Sequence, residues 1–232
     1  MFGFGKKKHA EEAEKAAIDK AIAEEIEETN VEVEELKEEE NSPEVIKYDR
    51  INGPHDIEEV TAEDLEDYVD LGALRIKLLD GMNLRLETDD ATGAVIAATI
   101  TRDGATLQVQ AFAAPRTTGI WDDIRHDLTE SVASQGGIVE IYAGVFGAEM
   151  LTRLPAVTPD GQPGERIARF VGVDGPRWFL RGVLQGPAAS SEHSAQALRE
   201  VLRGIVVVRD GQARPPREIL PLHAPGAAAG PE

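Results

Sequence analysis

A chain of 232 residues with 41% hydrophobic content can hold one large domain or two small ones around an apolar core. It contains no cysteine, so disulfides, thiolate zinc sites, iron–sulfur clusters and thiol catalysis are excluded by inventory. The net charge of −19 is unevenly placed: residues 1–70 carry 24 Asp/Glu against 8 Lys/Arg, and residues 71–232 carry 19 against 16. A field of that sign disfavours a nucleic-acid partner, whose phosphates need a condensed patch of Lys/Arg, and suits docking onto a basic surface.

The stretch from Met1 to Lys8 ends in basic residues and runs on into charge, and no apolar run of 18 residues occurs in the chain. Neither a signal peptide nor a membrane span is predicted, and the expected location is the cytoplasm. Residues 1–40 hold 14 acidic residues and no aromatic after Phe4. Such a segment cannot bury enough apolar surface to offset its ordering entropy, so residues 1–45 are expected to form a disordered acidic arm. Ile18, Ile22 and Ile26 recur every four residues, which gives the alternative of a helix that folds on contact with a partner. Residues 46–222 are expected to form a single α+β domain, and residues 223–232 a flexible tail. In the approach to that domain Gly53-Pro54 marks a turn. Thr61-Ala62-Glu63-Asp64 resembles a capping box, with Asp64 where Glu or Gln is more usual.

From Tyr68 onward the texture changes. Leu74–Leu78, Leu84–Glu87 and Val95–Thr101 read as strands, the first two by their alternation. Leu107, Val109, Ala111 and Ala113 form one face of a fourth. Turns at Asp80-Gly81, Asp89–Gly93 and Arg102-Asp103-Gly104 separate them, which predicts a four-stranded antiparallel meander. Trp121, Ile124, Leu128 and Val132 then share one helical face, with Asp122 and Asp123 in the first turn and Gly136-Gly137 as the stop. Further strands are predicted at Val139–Tyr142, Glu149–Leu154, Arg166–Val173 and Trp178–Leu184, the last two joined by a tight turn at Asp174-Gly175-Pro176. A second helix starts near Ser190 or Ser191 and buries Ala195, Leu198 and Leu202, and Ile205–Val208 is a short strand. The fold class is therefore α+β, an antiparallel β-sheet in the order meander, helix, further strands, helix, with helices packed on the sheet. This order is similar to that of small α/β/α sandwich proteins of the Mog1/PsbP type, which are mostly binding or assembly factors.

No catalytic centre, cofactor motif or metal motif is legible. The histidines (9, 55, 126, 193 and 223) make no HExxH arrangement and no i,i+4 pair. His126 and Asp127 fall on the solvent side of the first helix, and no Gly-x-Ser-x-Gly elbow accompanies them. Gly144-Val145-Phe146-Gly147 and Gly172-Val173-Asp174-Gly175 lack the spacing of a phosphate loop. The most unusual segment is Arg169 to Gly182. If Arg177, Phe179 and Arg181 lie on one face of a strand and Trp178 on the other, two arginines flank an outward Phe179. Such a patch suits a carboxylate, a phosphate or an acidic peptide. The candidate binding residues are Arg116, Arg177, Trp178, Phe179 and Arg181, and the acidic arm is a candidate internal cover for this basic surface.

Four blocks carry a resemblance to a known family: Val69–Arg75, Leu107–Arg116, Trp121–Arg125 and, the most specific, Arg169–Gly182 with Gly175-Pro176-Arg177-Trp178-Phe179-Leu180-Arg181-Gly182. The chain resembles the actinobacterial family catalogued as domain of unknown function 3710 (DUF3710) over about residues 45–225. The resemblance implies a cytoplasmic actinobacterial protein with an acidic N-terminal region, and it brings no activity and no functional residues with it. The leading expectation is a non-catalytic protein-interaction or assembly module using the surface near Arg177–Arg181, with an unknown protein partner and a homodimer through a free sheet edge as a further option. The alternative is a small-molecule or anion-binding domain, including an enzyme whose residues meet only in three dimensions.

Overall fold

The computed structural model describes residues 48–117, 119–158 and 160–226. The acidic arm expected at residues 1–45, its alternative helix, and residues 227–232 of the expected tail lie outside them. In chain order the strands are β1 (His55–Asp56), β2 (Val69–Asp70), β3 (Leu74–Ile76), β4 (Asn83–Thr88), β5 (Val95–Arg102), β6 (Ala105–Ala113), β7 (Ile138–Gly144), β8 (Gly147–Val157), β9 (Pro163–Gly175), β10 (Trp178–Gln185) and β11 (Val206–Val207). The α-helices are α1 (Trp121–Ser134), α2 (Pro187–Ser190) and α3 (Glu192–Gly204).

A seven-stranded antiparallel sheet runs in the order β4-β5-β6-β10-β9-β8-β7. The β5–β6 hairpin is as expected. Asp103 and Gly104 take φ of +50° and +77°, the pair of left-handed conformations that lets a two-residue turn follow the strand twist. Asp89 also turns as expected, with the Gly93 N–H donating to its carbonyl at 2.8 Å. The meander, however, has three strands and not four. Leu74–Ile76 pairs with Val206–Val207 in a second, four-stranded sheet of order β1-β11-β3-β2. Leu74 and Ile76 are both fully buried, and the connection to β4 is too long for a tight hairpin, so this strand takes a distant partner over its sequence neighbour.

Each face of the large sheet is covered. One face presents Leu107, Val109, Trp178, Leu180 and Val171 to Ala195, Leu198 and Leu202 of α3 and to Leu74 and Ile76 of the small sheet. The Ser191 side chain caps α3 by accepting from the Ser194 N–H, so the predicted helix start is correct. The short α2 before it was not expected. The opposite face presents Phe179, Phe112 and Phe170 to Trp121, Ile124 and Leu128 of α1. The α1 start is held from outside the helix: the Asp174 carboxylate of β9 accepts the N–H groups of Ile120 (2.8 Å) and Trp121 (3.3 Å). Burial pushes the Asp174 carboxyl above its ordinary range, against those two hydrogen bonds.

Two further segments differ from expectation. The reciprocal capping box lies at Asp56 and Glu59, while Thr61 only donates its N–H and hydroxyl to Asp64. The C-terminal segment is also less thin than its composition suggests. β5 and β6 pair only as far as Ala98↔Val109, and beyond that point the chain inserts along β6. Leu220 N–H donates to the Ala111 carbonyl and Arg217 N–H to that of Ala113, both at 2.8 Å.

Gly172 on β9 makes the α1 contact possible, since a Cβ there would run into the Trp121 indole. Gly172→Ala is expected to destabilise the domain by about 1–3 kcal/mol through overpacking. The loss should appear in the urea midpoint together with a changed near-ultraviolet signal from Trp121; an unchanged midpoint would show that this layer is loosely packed.

Candidate functional site

The expected patch is divided by the structure. Pro176 and Arg177 form the two-residue turn between Gly175 and Trp178, so Arg177 lies outside the strand and does not share a face with Arg181. Trp178 and Phe179 are each 0% exposed, one in each core layer. Phe179 stacks on Trp121 with ring centroids 5.7 Å apart, which corrects the expectation of an outward Phe179 between two arginines. Alternation places neighbours on opposite faces, but here α1 makes the second face interior as well.

The arginines separate into two environments. Arg181 lies on the α1 side of the sheet and is largely buried. It donates to the Gln110 side-chain oxygen and its guanidinium sits 5.3 Å from the Phe112 ring centre. Desolvation holds its pKa below the ordinary arginine range, and no carboxylate pairs with it among the described residues. Arg116 and Arg177 come together at one end of the sheet, where the Ala114 N–H donates to the Arg177 carbonyl at 3.0 Å. Arg209 joins them, its Nε donating to the same carbonyl at 3.3 Å. Arg209 and Arg214 share Asp210, and Arg214 also reaches Glu218. Neither the Arg116 nor the Arg177 guanidinium has an ion pair or hydrogen bond among the described residues. Arg177 also holds φ at +62°, a left-handed conformation that favours glycine.

Around the far end of β10 and the middle of β9 the chain assembles charges that sequence reasoning missed. Glu149 on β8 is 0% exposed and accepts from Arg199 of α3 at 2.7 Å and from the Tyr142 hydroxyl at 3.2 Å. Arg199 and Arg169 of β9, both buried, each donate to Glu192, whose side chain is 65% exposed. Arg169 Nε donates to the Ala189 carbonyl at 3.2 Å, and its guanidinium lies 5.6 Å from the Tyr142 ring centre. Burial raises the Tyr142 pKa, with Glu149 adding to it. A signal for this cluster exists in the sequence. Glu149 is the one charge in the run Val145–Leu151, and Arg199 falls on the same helical stripe as Ala195 and Leu202. A groove of about 420 Å³ opens beside it, lined by Val145, Glu192, His193, Gln196, Arg199, Glu200 and Arg203.

His126 is exposed, 3.5 Å from Glu130, and no cluster of three metal-ligating side chains occurs among the described residues. No helix among them is long and apolar enough to cross a membrane.

Residues 53–230 match the model of a family described as protein of unknown function (DUF3710), a span that contains all four sequence blocks. The chain belongs to the DUF3710 family. No curated protein matches it. Two solved structures are similar to this DUF3710 chain at low level. A crystal structure from Bacteroides thetaiotaomicron at 1.50 Å has 13% identity and a TM-score of 0.36, covering 62% of this chain and 48% of the other. The solution structure of cyanobacterial PsbP (CyanoP) from Synechocystis has 12% identity and a TM-score of 0.33, covering 63% of this chain and 89% of its own. The DUF3710 chain thus spans about half the length of the first. The architecture of the DUF3710 domain rests on its own strand order, an α+β fold with helices on both faces of an antiparallel sheet.

Two outcomes follow from this geometry. Arg177→Gly should raise stability by about 1 kcal/mol, because glycine adopts positive φ without the Cβ penalty. A fall in the denaturation midpoint would mean that the guanidinium has a structural partner. Hydrogen bonding from Arg169 holds the Glu192 carboxyl below its ordinary range. A depressed folded-state value gives stability that is present above the unfolded value and lost as the pH falls through the folded one. Glu192→Gln should therefore flatten the acid side of the stability profile, read from urea midpoints between about pH 6 and about pH 3. A profile identical to wild type would show that this pair is inactive in solution.

Proposed function

We propose that the domain is a non-catalytic interaction module of the actinobacterial cytoplasm, docking an acidic protein surface against the end of the sheet that carries Arg116 and Arg177. The observation that carries this reading is Arg177 itself. Its backbone is held in a conformation that costs roughly 1–2 kcal/mol for a residue with a Cβ. Its guanidinium has no hydrogen-bond or ion-pair partner among the described residues. A strained residue with a free cationic tip at a fixed turn gains its use from outside the domain.

The surroundings support the same reading. Arg116 is exposed just beyond β6. At the same end Arg209 and Arg214 pair with Asp210 and Glu218, and Arg217 pairs with Asp123 and Asp127, so these cations are already matched and, among the described residues, Arg116 and Arg177 are not. Guanidinium groups without an intramolecular carboxylate, as on Arg116 and Arg177, suit bidentate capture of Asp and Glu side chains. Trp178, anchored in the core, fixes the turn that presents Arg177, so the cation is offered from a rigid base.

The test is affinity capture from native lysate with the wild-type chain and an Arg116→Ala/Arg177→Gly double variant, whose turn keeps its geometry. A partner retained by wild type and bound at least about tenfold more weakly by the variant, with a flatter salt dependence, supports the reading. A partner retained equally by both, or none retained by either, overturns it.

A further inference from the structure

The cluster around Glu192 sets two buried arginines against one exposed carboxylate. Arg199 is 7% exposed and Arg169 6% exposed. Arg199 turns one terminal nitrogen inward to Glu149 and the other outward to Glu192. Arg169 fixes its Nε on the Ala189 carbonyl and turns Nη1 to the same Glu192. Two buried guanidiniums therefore converge on one carboxylate, an arrangement that recognises carboxylates and phosphates. Glu149 neutralises only one of the two cations, and a buried charge left alone is strongly destabilising. The second negative charge comes from Glu192, the exposed member of the set, at the first position of α3. A carboxylate 65% exposed is well solvated once it leaves, and an entering anion takes over the charge it supplied to the two arginines.

The adjoining groove gives an entering anion room and a third cation. Its volume of about 420 Å³ lies within the range of small-ligand sites. Arg203, one helical turn after Arg199, lines it. The Arg203 guanidinium sits 6.0 Å from the Phe146 ring centre, its Nε is buried without a hydrogen-bond partner, and no carboxylate pairs with it among the described residues. Glu200 lines the groove as a like charge, which favours a ligand with one condensed anionic group over a polyanion.

We infer that this groove binds a small ligand through a carboxylate or phosphate group that displaces Glu192 from Arg169 and Arg199 and engages Arg203. Arg169 faces Leu184 near the far end of β10 from Arg177, about 20 Å away at roughly 3.3 Å per residue, so the site stands independently of the proposed docking surface.

The experiment follows the side-chain Nε–H resonances of Arg169 and Arg199 while inorganic phosphate, and separately succinate, is titrated into wild-type, Glu192→Gln and Arg203→Ala proteins. Removing the internal competitor should tighten saturable binding about tenfold in E192Q, and R203A should weaken it about tenfold relative to wild type. Both variants alter groove-lining side chains outside the apolar core, and thermal unfolding of each confirms that it is folded before titration. The tighter of the two anions identifies the ligand as a phosphate ester or a carboxylate. Binding no tighter in E192Q than in wild type, or no saturable shift with either anion, overturns the inference and leaves Glu192 as a structural tie.

Discussion

The hydrogen bond from the Trp178 indole to Asp56 joins the parts of this domain. The Nε1–H of Trp178, fully buried at the start of β10, donates to Asp56 Oδ2 at 2.7 Å across 122 residues of sequence. Asp56 belongs to β1 of the small sheet, and its other oxygen accepts the Glu58 N–H at 2.9 Å, capping the turn that follows. Glu59 closes the circuit by accepting the Asp56 N–H at 2.8 Å and pairing with Arg50, whose guanidinium lies 5.2 Å from the centre of the Trp178 ring. A buried carboxylate is tolerable here because donors reach both of its oxygens. Leaving either partner unsatisfied would cost about 1–3 kcal/mol, a sizeable share of a marginal total. A polar contact thus links the two sheets inside the apolar layer that packs them together.

That anchor also governs where charge is offered to solvent. Trp178 directly follows Arg177, so fixing the indole fixes the turn and with it the direction of an arginine that makes no local ion pair. Apart from the arginines tied to partly exposed carboxylates, such as Arg209 and Arg214, three kinds bear on recognition. Arg169 and Arg199 are buried and matched to Glu149 and Glu192. Arg181 is sunk against Phe112 and Gln110 without a carboxylate. Arg116 and Arg177 stand at the end of the sheet without intramolecular partners among the described residues. Only the last kind suits recognition of a large acidic surface, whereas the first suits a small anion exchanged for Glu192.

Local chemistry was legible where it was sufficient to decide the structure. Asp103-Gly104 could only be a tight hairpin, and Trp121, Ile124 and Leu128 could only share a helical face. Ser191 capped the helix it was expected to cap. Reading failed where a distant element decided the outcome. Leu74 and Ile76 alternate as any half-buried strand does, and nothing local says that their partner is Val206–Val207. Phe179 looked outward because alternation assumes that one face of a strand meets water, and α1 removed that face from water. The Glu149–Arg199–Glu192–Arg169 set spans two strands and a helix, so each member reads locally as solvated. Glu149 in an otherwise apolar run and Arg199 on the buried stripe of α3 were the visible clues.

The most direct test of the anchor is hydrogen exchange at the Trp178 indole, followed by two-dimensional NMR with the resonance assigned through a Trp178→Phe variant. If the bond to Asp56 holds the two sheets together, this proton exchanges only through global unfolding, with the same protection free energy as the slowest β10 amides, and Asp56→Ala lowers the protection of both. Exchange of the Trp178 proton at the rate of a free indole, with β10 amides still fully protected, would contradict the account.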